Sequence, residues 1–243
     1  MADNPESPQP NEVKRILCLA NSRKLGGRCI AGREIVNNQP GAWIRPVSDR
    51  LHQEVSWEER HYEDGSDPRV LDMLQVPLIE PRPHQFQQEN WLLNPNFSWQ
   101  RTGHMDWAGL QAFVELDGAL WINGHSTYNG QNDRVLVAQA IGLESSLRLI
   151  RVDRLRLRVF RPNPPGAQFP PKRKVMAEFA HSGTNYAFSV TDPVYEQGFL
   201  AQADGLYELR ESVLTVSLGE PHTDGYCYKL IAAIIERAQT ETR

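Results

Sequence analysis

The 243 residues are 40% hydrophobic with a formal net charge of −4, enough apolar mass for one large core or two small ones and no uniform positive charge. The longest apolar runs, Val135 to Ala138 and Leu230 to Ile235, fall far short of the roughly 18 residues of a membrane-spanning helix, so a soluble, cytoplasmic chain without membrane contact is expected. Three cysteines, Cys18, Cys29 and Cys227, include no C-x-x-C pair, so each reads first as a small buried hydrophobe and second as a catalytic thiol.

In chain order, residues 1–12 carry three prolines and three acids without an apolar stretch, the composition of a disordered tail rather than a secretory signal. Strands are expected near Lys14 to Ala20, Arg28 to Val36 and Ala42 to Val47, the last two joined by a turn at Asn37-Asn38-Gln39-Pro40-Gly41, which gives a meander. Further strands fall near Val70 to Leu78 and Gln85 to Leu93. A helix is expected over Trp107 to Glu115, with Asp106 as cap and Asp117-Gly118 as stop. A strand opens the second half near Asp133 to Ala140, and a long one follows at Leu147 to Phe160. Within it Leu155, Leu157 and Val159 alternate with Arg154, Arg156 and Arg158, so one face is apolar and the other presents three guanidinium groups. A loop with five prolines, 161–171, reads as stiff and extended, and ends in Lys172-Arg173-Lys174. Ser182-Gly183-Thr184-Asn185 signals a hairpin between Val175 to Phe179 and Tyr186 to Val190, closed by Thr191-Asp192-Pro193. Val213 to Leu218 and Tyr226 to Ile235 complete the chain, with Leu230 to Arg237 open to a terminal helix. The fold class is mostly β with minor α, in two small barrel-like halves, 13–132 with a helical insertion and 133–243. No internal repeat is strong enough to show duplication.

Charge is segregated. Residues 13–50 hold eight Lys/Arg against two acids and 148–174 hold nine against one, whereas 51–147 and 175–243 are acidic. This alternation is expected if each half carries one positive surface; the plainer reading is that acidic and basic blocks neutralise each other across the fold.

The strings Ile16-Leu17-Cys18-Leu19-Ala20-Asn21-Ser22-Arg23-Lys24, Gly27-Arg28-Cys29-Ile30-Ala31-Gly32, Trp43-Ile44-Arg45-Pro46-Val47-Ser48, Gln88-Glu89-Asn90-Trp91, Leu218-Gly219-Glu220-Pro221 and Gly225-Tyr226-Cys227-Tyr228-Lys229-Leu230 resemble the uncharacterised prokaryotic proteins grouped as the dual OB-containing domain (DuOB) family. The resemblance spans about Val13 to Glu236. It implies two OB-like barrels in tandem and a role in bacterial defence or genome maintenance.

OB barrels commonly bind single-stranded nucleic acid through a cationic groove and stacking aromatics. The residues proposed to contact nucleic acid are Arg23, Lys24, Arg28 and Arg45 with Trp43 in the first half, and Arg154, Arg156, Arg158, Lys172, Arg173 and Lys174 in the second, with Phe160 and Phe169 nearby. Asn21 to Gly27 lacks the G-x-x-x-x-G-K-[ST] spacing, which excludes P-loop nucleotide hydrolysis there. The seven histidines form no H-x-H or H-x-x-x-H pair, so no metal or other cofactor is expected. The cluster Glu58 to Asp64 reads as a solvated turn before an acid–base or metal site, and Glu89 as structural before catalytic. The leading expectation is a non-catalytic protein that binds nucleic acid, single strands favoured. An adaptor that holds a protein partner and an enzyme acting on a nucleotide or nucleic acid are the alternatives.

Overall fold

A computed structural model describes residues 12–115, 118–163 and 172–240. The expectations for residues 1–11, Asp117, Phe169 and most of the proline-rich loop lie outside them, and Glu12 already belongs to a strand. Strands dominate, in two sheets.

In the first sheet, β1 (Glu12–Lys24), β2 (Gly27–Val36) and β3 (Gln39–Val47) form the expected meander. The turn between β2 and β3 is only Asn37-Asn38, both at positive φ (51° and 60°), a conformation asparagine tolerates in two-residue hairpins. Gln39 to Gly41 therefore join β3. A short helix, α1 (Trp57–Arg60), leads to β4 (Asp72–Pro81) and β5 (Asn90–Leu93). The strand expected from Gln85 starts at Asn90, because His84 to Gln87 close a tight turn. β3 pairs with β5 in parallel, β5 with β4, and β4 returns to β1, so these five strands form a closed circuit. β6 (Gln100–His104) adds to β4. The predicted helix is a single turn, α2 (Trp107–Leu110), capped by Asp106 and followed by a 3-10 turn to Phe113.

The second sheet begins with β7 (Arg134–Leu136), which passes at once into α3 (Val137–Ala140). The long strand is interrupted at Asp153-Arg154, giving β8 (Leu147–Val152) and β9 (Leu155–Phe160). β10 (Lys174–His181) and β11 (Thr184–Val190) make the expected hairpin, with Ser182 and Gly183 at φ 45° and 74°. Asp192-Pro193 then starts α4 (Pro193–Leu200), the Asp192 side chain accepting from Val194 and Tyr195 N–H. β12 (Gly205–Leu209), β13 (Ser212–Leu218), β14 (Tyr226–Glu236) and α5 (Arg237–Thr240) follow. β9 pairs with β10, β10 with β11, β11 with β14 in parallel, β14 with β13 and β13 with β8. With β8 and β9 as halves of one first strand, this is the strand order of the first sheet.

The apolar residues explain how the barrels meet. Along β1, Ile16 and Cys18 face the first barrel's interior, with Ile30, Ile44, Leu74 and Trp99. Leu17 and Leu19 face the other way, into a cluster containing Trp43, Leu110 and Phe113 together with Leu149, Val213, Ala233 and Ile235 of the second barrel. β14 behaves likewise: Ile231 and Ile234 fill the second barrel while Ala232, Ala233 and Ile235 meet the first. A strand buried on both faces has no polar side, so both read as unbroken apolar runs. At a bulge in β1, Gly32 lies so close that a Cβ there would sit 2.1 Å from the Leu17 carbonyl oxygen, which leaves glycine alone able to fit.

Candidate nucleic-acid interface

In an OB barrel, the outer face of the second and third strands and the loops after the first and fourth strands border the ligand. In the first barrel both loops are used to dock the second. The β4–β5 loop inserts Phe86 into the core of the second barrel and brings Glu89 against Arg45 (3.1 Å) and the Ser146 hydroxyl, which donates to it. Arg45 also donates to Ser146 Oγ at 2.8 Å. Arg45 and Glu89 are 4% and 3% exposed at their side chains, so this is a buried ion pair, bonded further to Ser146 across the junction and to Asn90 within the first barrel, with Arg45 Nε left without an acceptor.

The β1–β2 hairpin is pinned in the same way. Arg23 donates to both oxygens of Glu196 (2.9 and 3.0 Å), and these bonds hold its guanidinium protonated still more firmly. Lys24 Nζ lies 2.7 Å from Glu220 of the β13–β14 loop. Trp43 is buried, its indole N–H donating to Glu115 at 2.8 Å. Arg28 faces a cavity between the barrels. Of the five positions proposed in the first half, Arg23, Lys24 and Arg45 line one pocket of about 200 Å³, each paired with a glutamate, whereas Trp43 and Arg28 lie outside it.

The second barrel presents its outer face differently. Leu155, Leu157 and Val159 are buried, and Arg154, Arg156 and Arg158 lie on the opposite side, as the period of two requires. Across the ladder, Glu178 of β10 stands opposite Arg156. Its carboxylate serves both neighbours, 3.2 Å from Arg156 Nη2 and 2.8 Å from Arg158 Nε; the second contact is an ion pair without the angle of a hydrogen bond. Arg158 also donates to the Asn129 carbonyl at 2.9 Å and lies over the Phe160 ring at 4.2 Å. Arg154 makes no ion pair among the described residues.

Asn129-Gly130-Gln131 form the far wall, held to β11 by reciprocal backbone bonds between Gln131 and Ala187 (3.2 and 3.0 Å). Between this segment and the arginines lies a groove of about 460 Å³ lined by three guanidinium groups and a single carboxylate. Lys172 and Lys174 are exposed where β10 begins. Arg173 turns away to Asp204 and to the Leu200 and Gln202 carbonyls, tying down the turn after α4.

One aromatic near the groove escaped the reading of the sequence. Tyr128 is 68% exposed and adjoins Asn129; its signal was an aromatic ring inside an otherwise polar turn, Ser126-Thr127-Tyr128-Asn129-Gly130.

Other candidate chemistry is occupied internally. Glu59 belongs to a capping box with Ser56, and Ser66 donates to Asp64. Burial pushes the Cys18 thiol well up and that of Cys227 up to about 11, so both stay protonated. Among the described residues, no helix is long and apolar enough to cross a membrane.

The family model of the dual OB-containing domain matches residues 14–234, and the chain belongs to that family. No curated protein and no solved structure matches it.

Proposed function

We propose that this dual-OB protein binds single-stranded nucleic acid on the outer face of its second barrel, without catalysis, and that Arg154, Arg156 and Arg158 hold successive phosphates. What carries the reading is the contrast between the barrels: the first spends its loops and cations on the junction, while the second keeps three guanidinium groups against one carboxylate beside an open groove. Arginine suits this task because its planar fork matches phosphate oxygens. Lys172 and Lys174 extend the positive track toward the mouth of the loop between β9 and β10. Tyr128 offers a ring on which a base can stack. Such binding is independent of sequence, because backbone contacts carry no base information.

The test is fluorescence anisotropy of a labelled single-stranded decamer over a range of salt concentrations. The slope of log Kobs against log salt is near −0.7 for each phosphate neutralised on a single strand. Replacing Arg154, Arg156 and Arg158 together by glutamine flattens that slope and weakens binding at low salt, whereas Arg23→Gln leaves both unchanged, because the charge of Arg23 is already taken by Glu196. A wild-type slope of zero overturns the proposal.

A further inference from the structure

The groove of the second barrel is open at one end and shut at the other, and the register of its strands shows why. Arg156 of β9 stands opposite Glu178 of β10, and Glu178 opposite Ala187 of β11, whose backbone bridge to Gln131 carries this row on into the wall. The neighbouring row holds Arg158, Met176 and Ser189, about 7 Å further along the strands. Because the wall runs antiparallel to β11, Asn129, two residues before Gln131, falls at this second row.

There Arg158 reaches across the sheet to the wall. Its Nη2 donates to the Asn129 carbonyl at 2.9 Å, and its Nε lies 2.8 Å from Glu178. Met176, between them in the register, is only 2% exposed, and neither it nor Ser189 lines the groove. At the other end the floor is the exposed pair Ala180 and Asn185, and Arg154 is exposed just before β9 begins. The arginines sink accordingly, from a side chain 49% exposed at Arg156 to one 32% exposed at Arg158.

An uninterrupted strand must leave a groove as well as enter it, and the contact between Arg158 and Asn129 stands in its way. A strand that ends at Arg158 meets no such obstacle. Charge favours an end that carries phosphate, because a phosphate monoester holds about −1.5 to −2 at pH 7, more than the single charge of a phosphodiester. At the shut end two guanidinium groups flank the single carboxylate of the lining. Arg158 also keeps its Nη1 without a partner among the described residues, a donor left for a phosphate oxygen.

We propose that the groove takes the phosphorylated end of a single strand, its terminal phosphate at Arg158 and the next two at Arg156 and Arg154. This rests on the reading of the three arginines as a strand-binding site. A 5′-phosphate and a 3′-phosphate share the chemistry, and the assay separates them.

The experiment is competition against the decamer, labelled within its chain, read by anisotropy on the full chain. One sequence is offered as a covalently closed circle and in three linear forms: 5′-phosphorylated, 3′-phosphorylated and without terminal phosphate. The expected result is that one phosphorylated form competes at least tenfold better than both the circle and the unphosphorylated strand, which also identifies the end. Arg158→Ala removes the contact with Asn129, and the margin over the circle should then fall to threefold or less. A circle that competes within threefold of both phosphorylated forms overturns the proposal, as does an unphosphorylated strand that matches them. If in that case the triple glutamine variant weakens circle and linear strands alike, the strand-binding reading stands and only the choice of an end is lost. If the triple variant binds every form as tightly as wild type, the reading falls and the proposal with it.

Discussion

Glu178 gives the sharpest test of the groove, because its removal should improve function rather than impair it. Three guanidinium groups and this one carboxylate leave the lining with two net positive charges; Glu178→Gln raises that to three. If each net charge neutralises one phosphate, the salt slope steepens from about −1.4 to about −2.1. A carboxylate about 8 Å from a phosphate, at an effective dielectric near 20, costs about 2 kcal/mol before screening. At physiological salt, where 8 Å is about one Debye length, roughly 0.8 kcal/mol survives, so affinity should rise about fourfold. The fold should tolerate the change: Arg156 and Arg158 are 49% and 32% exposed at their side chains, and such pairs contribute at most about 1 kcal/mol. Anisotropy on purified Glu178→Gln across several salt concentrations measures both quantities. An unchanged slope and affinity would refute the electrostatic reasoning, and a loss of affinity would mean that Glu178 serves chiefly to align the arginines.

Tyr128→Ala should weaken decamer binding by about 1–3 kcal/mol while leaving the salt slope and the melting temperature as they are, since a stacking ring carries no charge. At the barrel junction, Glu89→Gln strands a buried Arg45 without its counter-charge, and urea denaturation should show a loss of about 3–5 kcal/mol; a loss under 1 kcal/mol would mean the pair is not a clamp. Lys229 is 1% exposed and pushed down to about 8 by burial, with Nζ bonded to the Ile122 carbonyl and Asn123. Below about pH 8 both folded and unfolded chains hold its proton. Between about 8 and the ordinary value of 10.5 the unfolded chain holds more, so the Lys229 contribution to stability rises with pH. Relative to Lys229→Met, wild-type stability should therefore climb by up to about 1.4 kcal/mol per pH unit across that window, and a flat difference curve would contradict this assignment.

How much of this could be read from the chain depended on whether one face of an element was buried. β9 was legible because its alternation of Leu and Arg is a local period, and the structure sets those residues on opposite sides as expected. β6 and β12 were missed because they are mostly exposed edge segments in which neither face imposes a pattern. The start of α4 was written in Asp192-Pro193, a cap followed by proline, and was taken instead for the end of a hairpin. In the candidate site the arginines were visible and their surroundings were not. Glu178 lies 20 residues beyond Arg158, and the wall at Asn129 to Gln131 comes from before the strand begins. In the first basic block, the partner of Arg23 stands 173 residues away; charge counting along the chain cannot separate a cation offered to solvent from one already claimed across a junction.

The apolar cluster that draws Leu17 and Leu19 from one barrel and Val213, Ala233 and Ile235 from the other has a consequence for how such a chain can be cut, fused or inherited. Severed near residue 133, each fragment would show water an oily flank that normally lies against its sibling, and should aggregate or stay molten when expressed alone. The heritable module is then the couple, and recombination that shuffled one barrel without the other would have to rebuild that flank first.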